Sequence, residues 1–137
     1  MAKTFTAPFV QAVNNSNCNI TAATSAVSGD SVSTAVLLFT AGLEGSAITS
    51  ITAIPRATVT ATALYLFTTT GSDTTALKLI DSITMPAQTL STTAGITIST
   101  FTNYTEDYPL RLKATEKLYV ATGVAANIQV YARGMDY

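Results

Sequence analysis

The side chains that most often carry chemistry are few in this chain, and histidine is absent. That removes the commonest general base, the usual activator of a serine or cysteine nucleophile, and the commonest zinc ligand. Serine is plentiful, yet no G-x-S-x-G elbow, P-loop or dinucleotide fingerprint occurs. Cys18 is the single cysteine, which excludes an intrachain disulfide and a multi-cysteine metal site; it reads as a small buried or half-buried residue. Glu106 and Asp107, adjacent in "NYTEDYP", could act together only in a loop, because neighbours on a strand point to opposite faces. No calcium-loop pattern accompanies them, so they read as a solvated loop tip. Asp81 stands in phase with Leu77, Leu79, Ile83 and Met85 in "ALKLIDSITM". Either a β-bulge near Ile80 and Asp81 swings the carboxylate outward, or it accepts hydrogen bonds at a sheet edge. No catalytic residue, metal site or cofactor is expected, and the chain reads as non-enzymatic. Tyr104, Tyr108, Tyr119, Tyr131 and Tyr137 are candidates of another kind, because flat rings stack on sugar faces and phenols offer hydrogen bonds. They leave a glycan-binding surface open.

The elements that must position these residues follow from composition. The chain has 137 residues, 47% hydrophobic and only 11% charged, where an average soluble domain has roughly 25% charged. Hydroxyls and amides must clothe its surface. Seven basic and eight acidic residues give a net charge of −1, which leaves no basic footprint for nucleic acid and little repulsion between copies. No apolar run reaches the length of a membrane span, and the amino terminus is broken by Thr4, Thr6, Pro8 and Gln11 before a secretion signal develops. No membrane partner and no export are expected.

Threonine occurs 26 times while Glu, Lys, Gln and Arg are scarce, so strands are favoured over helices. Segments 32–40 and 57–70 each open with polar alternation and close on an apolar block, and both read as central strands. In the second, Thr58, Thr60 and Thr62 share a side that Leu64 and Leu66 then occupy, with Tyr65 and Phe67 opposite. Something apolar must cover both faces there: the amino-terminal segment, a long loop or another subunit. Segment 46–54 repeats isoleucine every third residue, at Ile48, Ile51 and Ile54; a helical turn is one reading and an irregular strand the preferred one. "ITISTFT" at 96–102 alternates again. "LRLKA" and "KLYVAT" predict a hairpin turning near Thr115 and Glu116, with Leu110, Leu112, Leu118 and Val120 inward and Arg111 and Lys113 outward. The last strand, 127–133, places Ile128, Val130 and Ala132 on one side and Gln129, Tyr131 and Arg133 on the other. Gly42 and Gly45 mark a turn. Residues 1–19, with Pro8 and the polar run "NNSNCN", read as an arm or edge segment followed by a loop, and residues 20–137 as a single all-β antiparallel sandwich domain.

Residues 57–137 carry a resemblance. "ALYLFTTTGSDTTALKLIDSITMPAQTLS" followed by "PLRLKATEKLYVATGVAANIQVYARGMDY" resembles small accessory virion proteins of tailed bacteriophages, of the capsid decoration or cement type. The shared features are a strand ending in a short polar turn, a second strand leaving through "MPA", an L-x-L-x-A-x-x-x-L-Y-V stretch and a terminal G-x-D-Y. The chain departs from the pattern at "KATEK", where a glycine is common, and at "RGMDY", where a second glycine is. The resemblance implies a jelly-roll-like sandwich that decorates and stabilises a capsid by bridging shell subunits. The major capsid protein or another virion protein would be its partner, homo-oligomers its state and the virion its location. A collar, tail or fibre component that binds a host glycan or joins head and tail is the alternative. Candidate assembly contacts are Phe5, Phe9 and Val10 in the arm, Leu64 and Leu66 on the doubly covered strand, and Tyr131 and Tyr137 near the carboxyl terminus.

Overall fold

The computed structural model describes residues 12–24, 32, 34–69 and 76–137. Phe5, Phe9 and Val10 lie outside them. Among the described residues nine strands follow in order: β1 (Ala12–Ile20), β2 (Val36–Thr40), β3 (Ser46–Pro55), β4 (Thr62–Thr69), β5 (Lys78–Met85), β6 (Ser99–Thr100), β7 (Leu110–Leu112), β8 (Lys117–Thr122) and β9 (Ile128–Asp136). They form two antiparallel sheets. Sheet A runs β1-β9-β3-β6, with β7 also paired to β3, and sheet B runs β2-β8-β4-β5. The protein is an all-β sandwich, with no α-helix among the described residues.

The pairing is nested. β4 pairs with β5, β3 with β6 and β7, β2 with β8, and β1 with β9. The chain is thus one long hairpin, with β4 and β5 at its tip, folded over so that β9 meets β3 and β8 meets β4. Each sheet takes strands from both arms of that hairpin, so neither sheet forms without the other half of the chain.

The two-residue period explains which face is buried. Along β9, Ile128, Val130 and Ala132 point wholly into the core while Gln129, Tyr131 and Arg133 point away. They meet Ile48, Ile51 and Ala53 of β3, and across the sandwich Leu64 and Leu66 of β4, Leu118 and Val120 of β8, and Phe39 of β2. The cover over Leu64 and Leu66 is therefore the chain's own opposite sheet. The other side of β4 is also covered. Phe67, with Tyr65 beside it, packs in a second, smaller cluster with Tyr119, Ala121, Leu77 and Val32 on the outside of sheet B. Leu77 and Val32 come from the segments that lead into β5 and β2. The apolar block of β4 is continuous because both faces of that strand end are dry.

Three bulges explain irregular spacing in the sequence. Thr49 is the extra residue of β3 against β9, so Ile48 and Ile51 point inward although three positions apart, while Ile54 lies on the other face. The segment is a strand and no helical turn. Leu38 is extra in β2 against β8, which lets Leu38 and Phe39 both be buried. Ile80 is extra in β5, since Leu66 pairs with Asp81 and Phe67 with Leu79.

Several expectations are corrected. "LRLKA" and "KLYVAT" do not pair with each other: β7 belongs to sheet A and β8 to sheet B, so the turn between them crosses the sandwich. Their side chains still face as alternation requires, because Leu112, Leu118 and Val120 meet in the shared core. β2 is an edge strand, not a central one. The strand expected from residue 57 begins at Thr62, with only a bridge from Val59 to Gln88 before it. Leu79 is exposed, because the bulge at Ile80 breaks its phase with Ile83 and Met85. "ITISTFT" contributes two strand residues, and it turns Ser99 and Phe101 inward and leaves Ile96 and Ile98 exposed. Residues 12–20 form an edge strand, one of the readings of the amino-terminal segment, but the run Asn14–Asn19 lies within it, paired residue for residue with β9, and not in a loop.

Candidate assembly surface

The outer face of sheet A is built in rows by the registers of β1, β9 and β3. One row holds Asn17, Tyr131, Thr52 and Thr100; the next holds Asn19, Gln129 and Ile54; a third holds Asn15, Arg133 and Ser50. Cross-strand neighbours on one face stand about 4.5–5.5 Å apart at Cβ, so these side chains form a contiguous surface. Amides and hydroxyls alternate on it with apolar Val13, Ile54 and Met135, its charges are Arg133 and, at the end of the row Val13–Met135–Ala47, Arg111, and these rows hold no carboxylate among the described residues. The Arg133 guanidinium lies over the Tyr131 ring, 5.6 Å from its centroid, which fixes both side chains on this face.

Tyr137 sits at one end of the sandwich, where its N–H donates to the Gly45 carbonyl at 3.2 Å. Around it the two halves of the chain are locked by a polar cluster. The Asp136 carboxylate accepts from Ser46 Oγ at 2.5 Å and from Asn14 Nδ2 at 2.9 Å, while Gly42 N–H donates to Ser46 Oγ at 2.9 Å. Asn14 Nδ2 also reaches the Thr40 carbonyl, at 3.2 Å, so β1 is tied to β2 across the sandwich. Gly42 is required here because a Cβ would stand 2.8 Å from Asp136 Cγ. The turn "GLEG" and the terminal "RGMDY" are thus two sides of one structural joint.

The titratable candidates do not assemble into a reaction centre. Asp81 sits at the Ile80 bulge, where its carboxylate accepts from Ser82 N–H at 2.8 Å and from Asn103 Nδ2 at 3.1 Å. The bulge does not swing the carboxylate outward, since Asp81 stays half-buried and in phase with Ile83 and Met85; the edge hydrogen bonds are what satisfy it. Burial, then the charge of Asp81 and a hydrogen bond to it, push the Tyr104 phenol above its ordinary range. Burial alone pushes the Cys18 thiol up to about 12, which makes it an inert packing residue at neutral pH. Glu106 and Asp107 are exposed in a loop. Among the described residues no group of three His, Cys, Asp or Glu side chains is placed to hold a metal ion.

The tyrosines are dispersed: Tyr119 is buried in the second cluster, Tyr104 lies beside Asp81, Tyr108 is exposed in a loop, and only Tyr131 stands on the outer face of sheet A. Of the assembly candidates, Leu64 and Leu66 are core, Tyr131 and Tyr137 are half-buried, and the three arm residues lie outside the described residues. Sequence reasoning missed Asn15, Asn17 and Asn19, which share the outer face with Tyr131. The signal was their spacing, every second residue, which a loop does not require and a strand does. Comparison with known proteins found no family model that matches the chain and no significantly similar curated protein or solved structure.

Proposed function

We propose that the protein is a non-enzymatic structural component of a phage virion that decorates and stabilises the capsid by bridging neighbouring shell subunits, with the major capsid protein as its partner. The observation that carries this reading is the nested strand order. With β6 and β7 counted as one broken strand, the order β1-β9-β3-β6 facing β2-β8-β4-β5 supports a jelly-roll reading of eight strands, an architecture used by viral capsid and lectin domains. The likeness of residues 57–137 to accessory virion proteins supports the same conclusion. The mechanism is physical. Each copy lays a surface of few charges, with amides, hydroxyls and main-chain edges, across a subunit boundary, and many modest contacts add up to shell stability.

The collar, tail or fibre reading has one observation in its favour: Tyr131 stands among Asn17, Asn19 and Thr52, a pairing of ring and amides suited to a sugar. Imaging of purified particles carrying a tagged copy separates the two. Label spread over the shell supports decoration; label confined to one vertex or to the tail favours the alternative; particles without label overturn both.

A further inference from the structure

The four sheet edges are not alike. Natural sheets blunt an exposed edge with short strands, charges, prolines or bulges. β6 and β7 are two and three residues long, and Arg111 stands on the second. β2 has five residues and is bulged at Leu38, while β5 is bulged at Ile80 and carries Lys78 and Asp81. β1 has none of these devices. It runs nine residues as "AVNNSNCNI" without charge or proline, in unbroken register with β9, and β9 is its only backbone strand partner among the described residues.

We propose that the free edge of β1 is a dimer interface, pairing antiparallel with β1 of a second copy about a two-fold axis at Ser16 and joining two copies of sheet A into one continuous sheet. An axis at the middle of the strand pairs all nine residues and makes the interface isologous, so the strand must be complementary to itself. It is. Asn15 of each copy then faces Asn17 of the other, and an amide carries both donors and acceptors, which a lysine or a glutamate does not. With no charged residue in Ala12–Ile20, no like charges meet. The edge is also held in place before binding, because β9 lies between β1 and β3 and Asn14 is tied to Asp136 and Thr40.

The test is the mass of the purified full chain by sedimentation at micromolar concentration, a measurement independent of any binding to a particle. The wild type is expected to sediment as a dimer. N15K/N17K sets lysine against lysine twice across the axis and is expected to give the monomer with an unchanged far-ultraviolet circular dichroism spectrum. N15K/N17E sets lysine against glutamate twice and is expected to restore the dimer. Both variants lose the bond that Gly134 N–H donates to Asn15 Oδ1 and both place a lysine beside Arg133, so the unfolding midpoint of each variant, measured alongside its mass, separates a change at the interface from a change within the chain. A monomeric wild type, as when residues 1–11 of the same chain cover the edge, overturns the proposal. So does a dimer that N15K/N17K leaves intact.

Discussion

Thr115 occupies the turn that carries the chain from sheet A to sheet B, and its φ of 60° lies in the left-handed region. Its N–H donates to the Gly42 carbonyl at 3.1 Å, and Glu116 N–H closes the turn on Lys113. A β-branched residue pays roughly 1–2 kcal/mol in that conformation, where glycine pays almost nothing. Thr115→Gly is therefore expected to raise stability by about 1 kcal/mol in urea unfolding, with an unchanged denaturant slope. The Cys18 thiol supplies a second residue-level expectation. In the folded chain it keeps its proton up to about 12, while an unfolded thiol loses it from 9.0 upward, so over that window the folded state binds more protons. Its contribution to stability is fully present below 9.0 and is lost as pH rises through the window, at up to about 1.4 kcal/mol per pH unit. Cys18→Ala is expected to flatten the alkaline fall of the melting temperature; an equally steep fall in the variant would exclude Cys18 as its cause.

At the scale of strands, alternation made β9, the apolar block of β4 and the facing of Leu112, Leu118 and Val120 legible from residue types alone. Pairing was not legible. Nothing in "LRLKATEKLYVAT" states that β7 bonds to β3 and β8 to β4, because a tight turn between two sheets and one within a sheet need the same polar residues. Bulges hid the period in the same way. Thr49 makes Ile48 and Ile51 look helical, and Ile80 detaches Leu79 from its expected face. The surface of sheet A was the least legible feature, since asparagine is rare in strands and the four in "NNSNCN" spoke for a loop. Gly134 marks where elements crowd most. A Cβ there would stand 3.0 Å from the Ala47 carbonyl, 3.0 Å from Phe39 Cζ and 3.1 Å from the Asn14 carbonyl, so β1, β2 and β3 all close on one point of β9. Two of the three obstacles are backbone. Gly134→Ala is expected to cost about 1–3 kcal/mol, measured by the urea midpoint; a neutral result would show that β1 and β3 can move apart.

Over the whole molecule, nesting governs how the protein must fold. Among the described strands, only β4 and β5 are both consecutive in the chain and hydrogen-bonded to each other, and each pair added outward closes a longer loop, ending with Ala12 beside Asp136. Sheets dominated by such distant pairings fold on the order of milliseconds to seconds. Stopped-flow refolding is expected to fall in that range, and a microsecond phase that recovers full native signal would contradict it.

The same nesting brings Ala12 and Asp136 to neighbouring positions on adjacent strands. The order in which the strands are strung is therefore not the only one compatible with the sandwich. A short linker joining Ala12 and Asp136 in a chain without residues 1–11, with new termini opened in an exposed turn, would leave every described pair in place. Such a circular permutant would carry a fused peptide from whichever turn was opened, making the domain a scaffold whose attachment point can be chosen.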